Sequence, residues 1–130
     1  MKKLTFLTTL ILTVMFSSTS FGEWTNVGKN VKGTTYYVDF ERIRKHDGYV
    51  YWWDLGDYLK PDKWGTLSGK VYNQGDCKLF RFKALNYSHH KEPMGKGIGD
   101  SKSPKNPEWK YPHPNSSSEI ILKRICRYAK

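Results

Sequence analysis

The sequence has few acidic residues, few cysteines and no long apolar segment beyond its beginning. Only 12 Asp and Glu residues stand against 22 Lys and Arg residues, which gives a formal net charge of +10, and only two of the 130 residues are cysteine. A chain of this length forms one domain, which excludes a two-domain enzyme. The apolar fraction of 38% and the aromatic fraction of 15% are too high for an intrinsically disordered chain.

Recognised catalytic motifs are absent as well. Residues 65–69 (Gly-Thr-Leu-Ser-Gly) miss the GxSxG pattern of serine hydrolases by one position. Residues 94–100 are rich in glycine but lack the spacing and the Ser or Thr of a phosphate-binding P-loop. His89 and His90 are neighbours, and neighbouring residues of a strand point to opposite faces, so they do not favour one shared metal ion. We therefore predict a non-enzymatic protein with no catalytic, cofactor or metal site.

One enzymatic alternative is a small secreted hydrolase such as a ribonuclease. Such an enzyme needs a general acid and a general base around a phosphate, with a cation beside them. Glu41, His46 and either Arg44 or Arg81 are the required residue types, but nothing in their spacing brings them together. This alternative predicts a paired acid and base around a cleft.

The first 22 residues have the layout of a secretory signal peptide. Two lysines precede a 13-residue apolar stretch over residues 4–16, and Ser20 and Gly22 lie three and one positions before a cleavage ahead of Glu23. Thirteen helical residues span about 20 Å, which is too short for a hydrocarbon core of about 30 Å. No cysteine lies near the cleavage site, so a lipid anchor is not indicated. We expect one exported domain over residues 23–130, in the periplasm or at the cell surface.

The two cysteines, Cys77 and Cys126, both lie in the expected mature chain. An oxidising compartment favours a disulfide, and two cysteines allow one intramolecular pairing. Closing a loop between positions 49 apart stabilises the fold by about 4 kcal/mol in the chain-entropy description. A bridge between two chains and a free reactive thiol are the alternatives.

The pattern between residues 24 and 87 is typical of short antiparallel strands. Tyr49–Tyr58 is the strongest candidate, because aromatic and apolar side chains alternate along it and populate both faces. The other candidate strands are Trp24–Val27, Thr34–Asp39, Leu67–Asn73 and Cys77–Tyr87. We predict turns at His46–Gly48 and Gln74–Asp76, and an irregular turn over Phe40–Lys45. The absence of a helix between the strands favours a meander.

A long loop and one helix complete the pattern. Residues 92–114 are rich in proline and glycine and are predicted as a loop. Ser116 and Glu119 have the spacing of a capping box at a helix start. The apolar residues that follow at helical spacing are Ile121, Leu122, Ile125 and Cys126. We expect an α+β, mainly β fold: an antiparallel multi-stranded sheet with one C-terminal α-helix packed on it and tied by a disulfide.

The positive charge is concentrated in the second half of the chain. Residues 23–76 contain eight basic and eight acidic side chains, whereas residues 77–130 contain twelve basic and four acidic ones. The basic residues outside the predicted helix are the predicted partner-binding residues: Lys78, Arg81, Lys83, Lys91, Lys96, Lys102, Lys105 and Lys110. Such a surface attracts polyanions such as acidic glycans, and export argues against nucleic acid as the partner. The alternative is that the charges serve only solubility.

Several short motifs, in their order, resemble the bacterial surface-adhesin protein E family. They are Trp24, Tyr36–Asp39, Trp52-Trp53, Asp76–Lys78, Pro93–Gly97, Pro107–Trp109 and the closing helix with Cys126. The resemblance implies an antiparallel sheet with a C-terminal helix, allows a homodimer, and brings no catalytic residue.

The resemblance also implies a kind of partner. The adhesin that gives the family its name binds extracellular-matrix proteins and plasminogen and is lipid-anchored, whereas this sequence has no cysteine at the predicted cleavage site. We therefore predict an adhesin-like binding module. The alternative is a soluble periplasmic protein that binds a polyanionic glycan or another envelope protein.

Overall fold

In the computed structural model, which describes residues 23–130, seven strands form one antiparallel sheet and one helix packs on it. The predicted signal peptide over residues 1–22 lies outside the described residues. The strands are β1 (Thr25–Lys29), β2 (Thr35–Val38), β3 (Arg44–His46), β4 (Tyr49–Asp57), β5 (Ser68–Asp76), β6 (Arg81–His90) and β7 (Gly99–Lys102), and the helix is α1 (Ser117–Tyr128). Two single turns of 3-10 helix cover Phe40–Arg42 and Pro93–Gly95. The described part of the chain contains no helix with the length and apolar character needed to cross a membrane.

The strand order confirms the predicted antiparallel sheet. It is β1-β2-β4-β5-β6-β7, and β3 pairs with β4 beyond the end of β2. Asp47 and Gly48, with φ angles of 50° and 82°, join β3 to β4 as predicted. A two-residue hairpin turn of this kind needs positive φ at both positions, and Asp-Gly adopts it readily.

The helix covers one face of the sheet and forms the main core with it. Ser116 caps α1 as predicted, since its hydroxyl accepts a hydrogen bond of 3.2 Å from the backbone N–H of Glu119. The Glu119 carboxylate accepts in return from the N–H of Asn115 rather than from that of the cap residue. The buried apolar residues of this core are Val27, Val38, Val50, Trp52, Ile121, Leu122 and Ile125.

A disulfide links Cys77 to Cys126, with their Cα atoms 5.7 Å apart. It joins the turn after β5 to the last part of α1, so it ties the helix to the sheet. The intramolecular pairing is thus confirmed. Neither an interchain bridge nor a free thiol applies, because these are the two cysteines of the sequence.

The predicted turn at Gln74–Asp76 and the predicted strand start at Cys77 are wrong. β5 continues to Asp76, and the chain turns at residues 77–80 instead. The Asp76 carboxylate accepts hydrogen bonds of 3.1 and 3.2 Å from the N–H groups of Lys78 and Leu79, which stabilises that turn. Gly75 lies within the strand, where a side chain would collide with the indole of Trp52.

Two short strands lie where no strand is predicted. β3 occupies part of the predicted irregular turn over Phe40–Lys45, and β7 lies within the predicted loop over residues 92–114. Both are three or four residues long, and nearly all of their side chains are exposed. Neither one shows the alternation of apolar and polar residues that a half-buried strand requires.

Candidate binding face and cleft

The sheet face opposite α1 carries aromatic rings from neighbouring strands. Tyr72 of β5 lies between Trp53 and Tyr51 of β4, with ring centroids 4.9 and 6.2 Å away. These side chains share a face because residues two apart on a strand, and their cross-strand partners, point the same way. All three rings are half-buried. We call Tyr49, Tyr51, Trp53, Tyr72 and Trp109 the aromatic face.

Trp109, from the loop before α1, covers one end of the aromatic face. Its ring lies 5.5 Å from the ring of Tyr49. The Arg81 guanidinium and the Lys83 ammonium lie 4.3 and 4.4 Å from its ring centroid, within cation–π distance. Lys110, the next residue, makes two backbone hydrogen bonds to Phe82 of β6, of 2.9 and 2.7 Å, and these hold the Trp109 backbone in place.

Arg81 and Asp76 form an ion pair beside Trp109, with 3.0 Å between Nε and Oδ2. Burial alone would raise the pKa of Asp76, but the N–H of Leu79, the Arg81 guanidinium and the N–H of Lys78 together lower this pKa. Asp76 is therefore charged at neutral pH and offsets the charge of Arg81. Of the two cations beside Trp109, Lys83 is consequently better placed than Arg81 to contact a binding partner.

Residues 92–97 cover the other end of the same sheet face. Asp57 accepts a hydrogen bond of 2.8 Å from the N–H of Met94. The buried Ser68 hydroxyl accepts a hydrogen bond of 2.8 Å from the N–H of Gly95 and donates one of 2.6 Å to the carbonyl of Glu92. Two side chains of the sheet thereby fix the path of this loop.

A cleft of about 550 Å³ lies between this loop, the 3-10 turn after β2 and the start of the described chain. Its lining combines two indoles, a thioether, three cations and one acid: Trp24, Trp53, Met94, Arg42, Lys70, Lys96 and Asp39. Asp39 is only 2% exposed and pairs with Arg42, with 3.4 Å between Oδ2 and Nε. The cleft therefore offers apolar ring surfaces together with an excess of positive charge.

His90 is buried beneath residues 92–97 and is not among the residues that line the cleft. Its Nε2 lies 2.8 Å from the Ser88 hydroxyl, and its Nδ1 lies 3.4 Å from the carbonyl of Gly97. Burial, and then the charge of Lys70, lower the pKa of His90, so the ring is neutral at pH 7. His89 is exposed on the opposite face of β6. Within residues 23–130, no three His, Cys, Asp or Glu side chains are placed to hold one metal ion.

The eight predicted partner-binding residues are distributed over several places. Arg81, Lys83 and Lys110 lie at or beside Trp109, Lys96 lines the cleft, Lys91 and Lys102 line a separate open groove, and Lys78 and Lys105 are exposed in a turn and a loop. Charge counting did not identify Asp39, Arg42 or Lys70, because the first half of the chain is neutral overall. No sequence signal links them, since they come from separate elements.

The residues of the hydrolase alternative do not form a site. Glu41, Arg44 and His46 are exposed on the 3-10 turn and on β3, and the His46 ring contacts Asp47, at 3.1 Å. Arg81 is engaged with Asp76 on another part of the sheet. The paired acid and base that this alternative predicts are not assembled from these residues.

The fold is shared with solved structures of Haemophilus influenzae protein E. Crystal form II of that protein has a TM-score of 0.61 and 20% sequence identity, over 82% of this chain and 90% of that chain. Protein E from non-typeable Haemophilus influenzae gives a TM-score of 0.58 at 18% identity, over 85% of this chain and 79% of that chain. At such identities the likeness shows the fold alone. A search of curated protein sequences gives no significant match.

The family profile of the surface-adhesin protein E family matches residues 24–127. This range includes all seven strands and nearly all of α1. The resemblance seen in the sequence motifs is confirmed by this match. The chain therefore belongs to the surface-adhesin protein E family.

Proposed function

We propose that this chain is an exported, non-enzymatic, adhesin-like binding module that contacts a protein partner through its aromatic face. The observation that carries the proposal is the group of half-buried rings, Tyr51, Trp53 and Tyr72, on the sheet face that α1 does not cover. Family membership supports an adhesin-like activity. The partner class is an extracellular-matrix protein, plasminogen or another host or envelope protein.

The chemistry of the face is that of a protein interface. Tyr and Trp are enriched at the positions that contribute most to protein binding, because they bury a large area with few rotatable bonds. Lys83, beside Trp109, adds a positive charge at the edge of the rings. Cations at the rim of an interface steer acidic partners and speed their association. We therefore expect a partner surface with an apolar centre and acidic surroundings.

Cellular location is the first test of the proposal. Intact producing cells are treated with a protease that cannot cross the outer membrane, and the mature chain is then detected with an antibody. Loss of the chain, with a periplasmic control protein intact, supports surface display. Survival until the outer membrane is opened contradicts the host-adhesin function and favours the periplasmic alternative with a glycan or envelope partner.

The contact face is tested with a charge reversal and a matched control. Lys83→Glu changes the charge beside Trp109, and Lys29→Glu makes the same change at an exposed position of β1. We expect Lys83→Glu to weaken binding to immobilised matrix proteins or plasminogen about tenfold at moderate ionic strength. Lys29→Glu should change it less than about twofold. Equal weakening by both variants would mean that total charge, not the face, governs binding.

The basic residues of the loop region are tested separately. We expect alanine at Lys91, Lys96, Lys102 and Lys105 to weaken binding if residues 92–114 extend the interface. Unchanged binding by this fourfold variant at moderate ionic strength would remove the loop from the contact and leave the aromatic face alone.

A further inference from the structure

We infer that the cleft between Trp24 and residues 94–97 is a binding site for one acidic sugar, a pyranose ring that carries a carboxylate. The inference goes beyond the proposed protein contact, because the site is a concave pocket for a small molecule and needs no protein partner. Its volume of about 550 Å³ falls within the range of small-ligand sites.

The charge of the cleft favours an anion. Among residues 23–130, Arg42, Lys70 and Lys96 line it together with a single acid, Asp39. Even with Asp39 paired to Arg42, the positive charges outnumber the negative one. Charge interactions are stronger in a partly enclosed cleft than in open water, and a guanidinium and an ammonium both bind carboxylates well.

The apolar surfaces of the cleft favour a ring with an apolar face. Trp24, Trp53 and Met94 supply two indoles and a thioether. The C–H bonds of a pyranose form an apolar face that packs on the electron-rich face of an indole, while the hydroxyl groups point toward the rim. A linear fatty acid would place a hydrocarbon chain beside cations and a carboxylate that favour polar groups, so a ring with hydroxyl groups matches the lining better.

Asp39 favours a hydroxyl-bearing monoanion over a polyphosphate. Its backbone N–H donates to the carbonyl of Trp53 at 3.2 Å, which holds Asp39 beside the strand residue that supplies one indole of the cleft. Its Oδ1 has no hydrogen-bond partner among residues 23–130, and the side chain is almost fully buried at the cleft wall. A sugar hydroxyl can donate to a carboxylate oxygen, whereas a phosphate group would be repelled by it.

The cleft wall is held in place before a ligand arrives. The hydrogen bonds of Asp57 to Met94 and of Ser68 to Gly95 fix the loop that carries Lys96. Pre-organisation of this kind lowers the entropy that binding must overcome. Lys96 is exposed, so its side chain can be changed without loss of a buried contact.

The test is a titration of the purified, isotope-labelled protein followed by NMR. D-glucuronate is the probe, D-glucose is its uncharged match, and the indole N–H signals of Trp24 and Trp53 report on the cleft. The signal of Trp64, which is 70% exposed and outside this cleft, is the internal control. We expect saturable shifts of Trp24 and Trp53 with glucuronate and at least tenfold weaker binding of glucose.

Two glutamine variants complete the design. Lys96→Gln should weaken glucuronate binding about fivefold or more, whereas Lys32→Gln, at an exposed lysine outside the cleft, should leave it unchanged. Equal binding of the two sugars, equal effects of the two variants, or tighter binding of inorganic phosphate would each overturn the inference. Since the titration involves no protein partner, its failure leaves the proposed adhesin function standing, and failure of partner binding leaves the sugar site standing.

Discussion

Asp54 is an acidic side chain placed on the helix side of the sheet. Its Oδ2 accepts hydrogen bonds from the Trp52 indole N–H at 3.0 Å and from the Asn73 amide at 2.9 Å. Burial raises the pKa of Asp54 from 3.8 to about 7, although both hydrogen bonds act in the opposite direction. The native state therefore binds a proton here that the unfolded state releases above about pH 4.

Asp54→Asn should raise stability at pH 8 but change it little at pH 4. The folded-state pKa lies above the unfolded value, so the wild-type protein loses stability as the pH rises from about 4 to 7. An amide in place of the carboxylate removes this loss, and we expect a gain at pH 8 of roughly 2–4 kcal/mol relative to pH 4. Urea unfolding at both pH values measures it.

Glu108→Gln is the matched control, because Glu108 is exposed in the loop before α1. Its effect should differ by less than about 0.5 kcal/mol between the two pH values. Asp76 and His90 also titrate, but their contributions are the same in both proteins and cancel in the difference. An Asp54→Asn gain that is equal at pH 4 and pH 8 would contradict a raised pKa at this residue.

Gly75→Ala should destabilise the protein by about 1–3 kcal/mol through overpacking. A Cβ atom at this position would lie 2.7 Å from Cζ3 of Trp52 and 3.0 Å from Cγ1 of Val50, and both partners are buried core residues. Gly56→Ala is the control, since its nearest contact would be an ordinary 3.5 Å. Chemical denaturation measures the free energy of unfolding of both variants. Equal losses would mean that replacing glycine in a strand, and not the close contact with Trp52, causes the destabilisation.

Gly75 also shows why the role of a single residue cannot always be predicted from its neighbours in the sequence. A glycine between Gln74 and Asp76 has the local pattern of a turn, but its role is set by Trp52 on the neighbouring strand. By contrast, the Ser116 cap and the Asp47-Gly48 turn depend on neighbouring backbone groups, and both predictions are confirmed. The residues of the cleft are contributed by separate elements, so no local spacing reveals them.

At the scale of elements, the predictions succeed where a pattern repeats. β4 follows its alternation, with Val50 and Trp52 under the helix and Tyr51 and Trp53 on the aromatic face. The helix buries Ile121, Leu122 and Ile125, which belong to the apolar stripe that predicted it. β3 and β7 are missed because short exposed strands form through pairing with β4 and β6 rather than through burial of one face.

The disulfide between the β5–β6 turn and α1 should contribute about 4 kcal/mol to stability, because it closes a long loop in the unfolded chain. Changing Cys77 and Cys126 together to serine removes it. We expect urea unfolding of the variant to show a loss of this size. A reductant should lower the stability of the wild-type protein and leave the variant unaffected.

Thiol titration supplies the control for that experiment. The unreduced, unfolded wild-type protein should show no free thiol, as the bridge requires. Two free thiols per chain, or a variant as stable as the wild type, would exclude the bridge as a source of stability.

At the scale of the whole molecule, the two ends of the described chain share one core. Val27 of β1 is buried with Ile121 and Ile125 of α1, and the disulfide ties the same helix to the turn between β5 and β6. The two faces of the sheet then differ, since α1 packs on one and leaves the other, with its rings and cations, available for the proposed partner contact. Residues 23–130 should therefore unfold as a single cooperative unit.

Val27→Ala tests this cooperativity, with Val31→Ala as its control. Val27 is 9% exposed in the core, whereas Val31 is fully exposed in the following turn. We expect Val27→Ala to cost about 1–3 kcal/mol, and Val31→Ala to stay within about 0.5 kcal/mol of the wild type. Unfolding is followed by far-ultraviolet circular dichroism and by tryptophan fluorescence, which report on secondary structure and on the aromatic side chains.

Circular dichroism and fluorescence should give the same unfolding midpoint for Val27→Ala, because β1, which carries Val27, and α1 belong to one cooperative unit. Separate midpoints would show that the helix unfolds independently of the sheet. The aromatic face would then not depend on α1 for its rigidity, and variants that loosen the helix would leave partner binding unchanged. Coincident midpoints mean instead that damage to the core on one side of the sheet also destabilises the aromatic face on the other side, where partner binding is proposed.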